Sequence, residues 1–375
     1  MKQNKIVLSF FLVALLSLVF VGCKPSPRED IKIGCILDLT GAVATYGNWS
    51  LNGLELAKDD INNSGGVNGR KIQLVVEDGK SSPQDAVAAF NKLVNVDKVK
   101  VVIITTGSSS VLSVAPIANE KKVILFTPAA SAPEITQAGD YVFRNRLSGL
   151  QEVREMADIA YKKLGLKRGA VLYVNNDFGQ SYLKVFDQIF RGNGGQILLA
   201  ENYDQGGSDF RTQLAKIKQS REIDFVYLVG YAVECGQILK QARELGLKTK
   251  WLSTIGIESD KVISVAKDAA NGVIYTAPRY VLDDANVAPF EDKYFSKFNE
   301  HSNLYAANSY DALKIISDII TRDGYDADKI KNGLYKTKDY PGVSGITTFD
   351  ENGDVMKPVM LKVIKDSKFE IYSEE

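Results

Sequence analysis

The stretch 99–136, VKVVIITTGSSSVLSVAPIANEKKVILFTPAASAPEIT, does most to limit what this chain can become. It opens with an unbroken apolar run at 101–104, the pattern of a strand buried on both faces in a parallel sheet. Gly107 stops the run. Ser108, Ser109 and Ser110 then head a segment in which Val111, Val114, Ile117 and Ala118 recur at helical spacing. Serines placed there are N-cap candidates, and the helix start they introduce leaves backbone N–H groups pointing outward. A second apolar run, 123–126, ends in Thr127-Pro128-Ala129-Ala130-Ser131. If the two runs are neighbours in one parallel sheet, their C-terminal ends open on the same edge. Doubly wound sheets bind ligands at that edge, and a helix start there attracts a carboxylate or other anion. On these residues alone, the serines could equally do no more than cap a helix.

The rest of the chain repeats the same alternation. The pattern predicts strands at 31–39 and 71–77 with helices at 46–61 and 83–94, the last opened by Pro83. After Arg144 it starts afresh: helices at 150–164, 180–191, 210–217 and 234–245 alternate with strands at 170–174, 196–201, 224–229 and 250–253. Two pieces resemble each other. Gly65-Gly66, a strand, a helix and DKVKVVII recur as Gly194-Gly195, a strand, a helix and REIDFVYL. The expectation is an α/β fold of two lobes, each a doubly wound, mostly parallel sheet with right-handed crossovers. The last third departs from this rhythm, with a strand at 272–276, helices at 288–298, 306–320 and 327–335, and strands at 346–349, 358–364 and 369–372. The acidic turn Asp350-Glu351-Asn352-Gly353-Asp354 places its glycine too early for an EF-hand and reads as a hairpin turn.

At 375 residues the chain is long enough for two cores. Lys+Arg 46 balance Asp+Glu 46 without a basic cluster, which argues against a nucleic-acid partner. A single histidine, His301, in the polar segment FNEHSN, leaves little for a metal site or an acid–base triad. Cys35 and Cys235 lie in apolar surroundings and form no C-x-x-C pair, so they read as small core residues. Neither G-x-S-x-G, P-loop, G-x-G-x-x-G nor H-E-x-x-H occurs, and no cofactor is implied. The balance favours a binder over an enzyme.

The amino terminus has its own signature. Lys2 and Lys5 precede an uncharged apolar run at 6–21 that ends in Gly22-Cys23. This reads as a secretory signal peptide over 1–22. The run before Gly22-Cys23 resembles a bacterial lipobox, which implies a lipid on Cys23 and a short tether at 23–30 to the cell envelope.

Seven segments make the chain resemble a solute-binding protein of the branched-chain amino acid type, the extracytoplasmic receptors of bacterial ABC importers. Two are LTGAVATYGNWSLNG at 39–53 and INNSGGVNGRKIQLVVEDGKSSPQDAV at 61–87. The opening stretch supplies SSSVLSVAP and FTPAASAPEIT. The others are NNDFGQSY at 175–182, IDFVYLVGYAVECGQILKQARELGLKTKW at 223–251 and GVSGITTFDENGDV at 342–355. The resemblance implies a type I periplasmic-binding fold. Residues 31–148 with 278–342 would form the first lobe and 149–277 with 343–375 the second, with crossings near 147–149, 278–279 and 341–345.

It also implies a ligand site. Ser108, Ser109 and helix-start amides would hold a carboxylate, while Ala129 and Ser131 would meet an ammonium. Tyr46 would cover the ligand side chain, and Phe178 and Tyr231 would close over it from the second lobe. Two positions depart from the family: Phe178 stands where a tyrosine is common, and Ile255 stands where an acid usually receives the ammonium. Glu258, three residues on, is the available replacement. The implied partners are an amino acid or related small carboxylate and the transmembrane subunits of an ABC permease, with the receptor a monomer. A sensor docking on a chemoreceptor or kinase and a secreted hydrolase are the competing readings.

Overall fold

A computed structural model describes residues 29–220 and 222–373; the signal segment and Cys23 lie outside the described residues. The first sheet is built from β1 (Ile31–Leu37), β2 (Ile72–Asp78), β3 (Val101–Thr105), β4 (Ile124–Thr127) and β5 (Val142–Arg144), all parallel in the order β2-β1-β3-β4-β5. Alternate residues of these strands feed two separate cores. Ile33, Cys35, Leu37, Val101 and Ile103 face one side, and Ile36, Val102 and Ile104 face the other. Both faces being covered explains why the strand sequences are continuous apolar runs.

Helices α1 (Ala44–Asn63), α2 (Pro83–Asn95) and α3 (Ser108–Lys121) connect these strands. Ser82 accepts from the Asp85 N–H and Pro83 fills the first turn, which fixes where α2 begins. The start of α3 differs from the capping expectation: its N-cap is Gly107 and no side chain caps it. The serines bond elsewhere.

The second sheet follows α4 (Gly149–Asp158), which continues into a π turn at Ile159–Lys163. It contains β6 (Arg168–Val174), β7 (Gln196–Tyr203), β8 (Phe225–Val229), β9 (Lys250–Thr254) and β10 (Ile274–Pro278) in the parallel order β7-β6-β8-β9-β10. That order repeats the first sheet strand for strand. Helices α5 (Asp177–Gly192), α6 (Arg211–Gln219), α7 (Ala232–Glu244) and α8 (Asp260–Ala266) join these strands. Helix α5 starts three residues earlier than its apolar periodicity predicts, because Asn176 accepts from the Gly179 N–H and caps it there.

After β10 the chain returns to the first body. Helix α9 (Ala288–Phe298) precedes α10 (Leu304–Asp323), which lies along α1, and α11 (Ala327–Tyr335) follows. Contact between α1 and α10 is backbone-close at Gly53, where a Cβ would stand 2.1 Å from the Ala306 carbonyl oxygen. The short hairpin β11 (Tyr340–Gly342) and β12 (Gly345–Thr347) comes next. The third crossing then falls later than the expected 341–345. Phe349 and Val355 belong to the first body's core, and the Gly353 carbonyl accepts from the Arg144 N–H at 2.9 Å. Asp354 holds Arg144 through both carboxylate oxygens, at 2.8 and 2.6 Å. The acidic turn is therefore structural: Asp350 accepts from the Asn352 and Asp354 N–H groups.

Crossing occurs around buried Lys357, whose Nζ donates to Ser344 Oγ at 2.7 Å. Strands β13 (Val359–Lys365) and β14 (Lys368–Ile371) then add to β10 as an antiparallel edge. Cys35 and Cys235 are buried and unpaired, and burial pushes both thiols well up. His301 is exposed beside Glu291. Among the described residues no group of side chains could hold a metal ion.

Candidate functional site

The C-terminal ends of both parallel sheets meet around one cavity of about 50 Å³, room for several waters or one small solute. Ser108 at the head of α3 lines it, as do Ala129 and Ser131 in the turn after β4. That turn is set by Thr127, whose hydroxyl accepts from the Ala130 N–H at 3.1 Å, and by Asn308, which donates to the Pro128 carbonyl. Ser108 Oγ accepts from the Ala132 N–H at 3.2 Å, so the hydroxyl ties the two loops together and keeps its proton for another acceptor. From the second body come Phe178, Tyr182, Tyr231, Thr254 and Ile255, and Tyr305 leans in from α10.

Tyr46, in the first turn of α1, also lines the cavity, and its hydroxyl reaches the other body. It donates to the Gly256 carbonyl at 2.8 Å and accepts from the Ala232 N–H at 2.9 Å. Its ring packs 4.9 Å from Tyr305 and 6.1 Å from Tyr231. Phe178 packs 5.6 Å from Tyr231 with the rings tilted by 30°, and the Tyr231 hydroxyl accepts from Asn176. The bodies are thus joined across the cavity by hydrogen bonds as well as by the chain.

Two anticipated residues lie elsewhere. Ser109 does not line the cavity; its Oγ accepts from the Asp177 N–H at 3.2 Å and latches α3 to the start of α5. Glu258 is turned away by the 3₁₀ turn Ile255–Ile257. Its oxygens hold Lys362 Nζ at 2.5 Å and the Tyr275 hydroxyl at 2.8 Å, beside a larger groove. Ile255 itself stays in the cavity wall.

The structure adds a buried polar chain that sequence reasoning passed over. Arg146, in the first crossing, lines the cavity and is 2% exposed. It donates to Glu152 at 2.8 Å, and Glu152 also accepts from the Tyr182 hydroxyl at 3.2 Å and the Ile255 N–H at 3.3 Å. Tyr182 and Ser131 are joined at 3.0 Å. Gly149 permits this crowding, since a Cβ there would lie 2.3 Å from the Tyr182 ring. Arg144 and Arg146, two residues apart, reach two different acids, Asp354 and Glu152, so the spacing of the two arginines gave no sign of their partners. Near the cavity floor Asp38 is also buried, with Oδ1 accepting from the Ser81 N–H at 2.8 Å and Oδ2 without a partner.

Two sheets that share one five-strand parallel order, joined by three crossings and enclosing a cavity at their carboxyl edges, define a bilobal ligand-binding protein. A family model described as periplasmic binding protein matches residues 30–368, and the chain belongs to that family. The Leu/Ile/Val-binding protein of Escherichia coli (strain K12) is 34% identical over 331 residues, 87% of this chain and 88% of the relative. Among solved structures, the leucine binding protein LivK from Thermotoga maritima superposes with a TM-score of 0.86 at 30% identity, over 92% of this chain and 98% of its own. The branched-chain amino acid transporter substrate binding protein LivJ from Streptococcus pneumoniae, in complex with isoleucine, gives 0.84 at 27%, over 92% and 99%.

Proposed function

We propose that this chain is the extracytoplasmic capture subunit of an ABC importer, a monomer that encloses an amino acid or related small carboxylate between its lobes and presents it to the permease. The observation that carries this reading is the cavity between the carboxyl edges of two sheets, with Ser108 and Ser131 on one wall and Phe178, Tyr231 and Ile255 on the other. Ser108 and the uncapped start of α3 would take the carboxylate, whose charge the helix terminus favours. The aromatic walls suit a modest apolar body. Belonging to a family of solute-binding proteins, together with relatives named for branched-chain amino acids, supports the same assignment. The Gly22-Cys23 boundary would place a lipid on Cys23 and hold the receptor at the envelope.

Native mass spectrometry of the full chain, extracted from membranes without denaturation, tests both parts. Diacylglycerol mass on Cys23 and a releasable small carboxylate are expected, and Ser108→Ala should weaken its binding about tenfold or more. Unmodified Cys23 would refute the anchor. A retained ligand without a carboxylate, or one held equally well by the variant, would refute the site.

A further inference from the structure

A cation, and no free anion, faces the cavity. Among the described residues that line it, Arg146 is the one charged side chain. Its counter-ion Glu152 is fully buried, and three donors already meet its carboxylate: Arg146, Tyr182 and the Ile255 N–H. A guanidinium carries five N–H groups. Two are directed at protein, one to Glu152 at 2.8 Å and one to the Leu147 carbonyl at 3.3 Å. The wall therefore has spare donors and no carboxylate of its own, since neither Glu152 nor any other acid among the described residues lines it. Asp38, the other buried acid nearby, does not line the cavity, and Glu258 is engaged by Lys362.

Carrying forward the carboxylate-receptor reading above, we infer that Arg146 is a specificity-determining ligand contact. It donates to a neutral oxygen beside the ligand's carboxylate, so the site selects a small 2-oxo monocarboxylate over the zwitterionic 2-amino acid. An ammonium in this cavity meets a guanidinium where its counter-charge should be, and it must shed water without gaining an anion. A keto oxygen instead accepts a charge-assisted hydrogen bond from a donor fixed in place by Glu152. A dicarboxylate fits less well, because the charge of Arg146 is already balanced by Glu152. Glu152 and Tyr182 act as positioning residues, and Tyr182 couples the guanidinium to the Ser131 hydroxyl on the opposite wall.

Calorimetry of the intact protein with 4-methyl-2-oxopentanoate, leucine and 4-methylpentanoate decides the matter. The oxo acid should bind roughly tenfold or more tighter than leucine, with 4-methylpentanoate between them. Arg146→Gln combined with Glu152→Gln removes the pair without leaving a buried charge alone, and should bring the oxo acid and leucine to within about threefold. The wild-type ranking tests the inference even if that variant does not fold. Leucine binding as tightly as the oxo acid in the wild type, or a preference unchanged in the double variant, would overturn the role of Arg146 and leave the receptor reading standing. Binding of none of the three would overturn both.

Discussion

Asp38 is a residue whose burial works against the fold. It sits immediately after β1, fully buried, with one carboxylate oxygen unpartnered. Burial pushes its carboxyl up to about 6, while hydrogen bonds from the Ser81 and Gly107 backbone pull the other way. Between the ordinary carboxylate range and about 6 the folded chain keeps a proton that the unfolded chain has released. Stability therefore falls as pH rises through that window and does not recover above it. Asp38→Asn should raise stability at pH 7 by about 2 kcal/mol and flatten the profile between pH 4 and 6 in urea denaturation. A variant less stable than wild type at pH 7 would mean the carboxylate has a partner that compensates it. At this scale the sequence made part of the cavity legible. Ser108, Ala129 and Ser131 follow apolar strands directly, so the sheet edge alone brings them together. Arg146 and Glu152 were illegible because charged residues at a crossing look solvated until packing encloses them.

Helix α1 does more than cover the first sheet. Its first turn lifts Tyr46 so that one hydroxyl bridges the Gly256 carbonyl and the Ala232 N–H of the other body. Both bonds exist only while the bodies are apposed. Tyr46→Phe keeps the ring packing and removes the bridge, so ligand affinity should fall roughly tenfold, mainly through faster release, in stopped-flow and calorimetric measurements. Unchanged release would place the stabilisation of the apposed state elsewhere, for example in the Ser109–Asp177, Ser181–Glu134 and Tyr182–Ser131 contacts across the cleft. Elements with a short polar cap were legible nearly to the residue, as at Ser82. Errors arose where caps were overlooked, as at Asn176, and at the third crossing. There, the resemblance implied a crossing at 341–345, but Gly342-Val343-Ser344-Gly345 belongs to a hairpin held by Asp311, which accepts from the Val343 and Ser344 N–H groups.

The whole molecule is two copies of one strand order joined by three strands of chain, a build that favours rotation about the crossings over internal distortion. A ligand that touches both walls can favour the apposed arrangement only by its better contacts there. Small-angle scattering should therefore show a smaller radius of gyration with saturating ligand than without. Identical profiles at saturation would mean that binding proceeds without closure.

The late third crossing also bears on the order of events during synthesis. Phe349 and Val355 seal a core whose first strand begins at Ile31, and Val359–Lys365 completes a sheet whose first strand begins at Arg168. Neither body can finish before the closing residues have left the ribosome, because each waits on contacts between the two ends of its own discontinuous segment. The growing polypeptide consequently stays short of its native state until almost the last moment, and a message truncated at residue 340 would yield two incomplete bodies in place of one finished lobe.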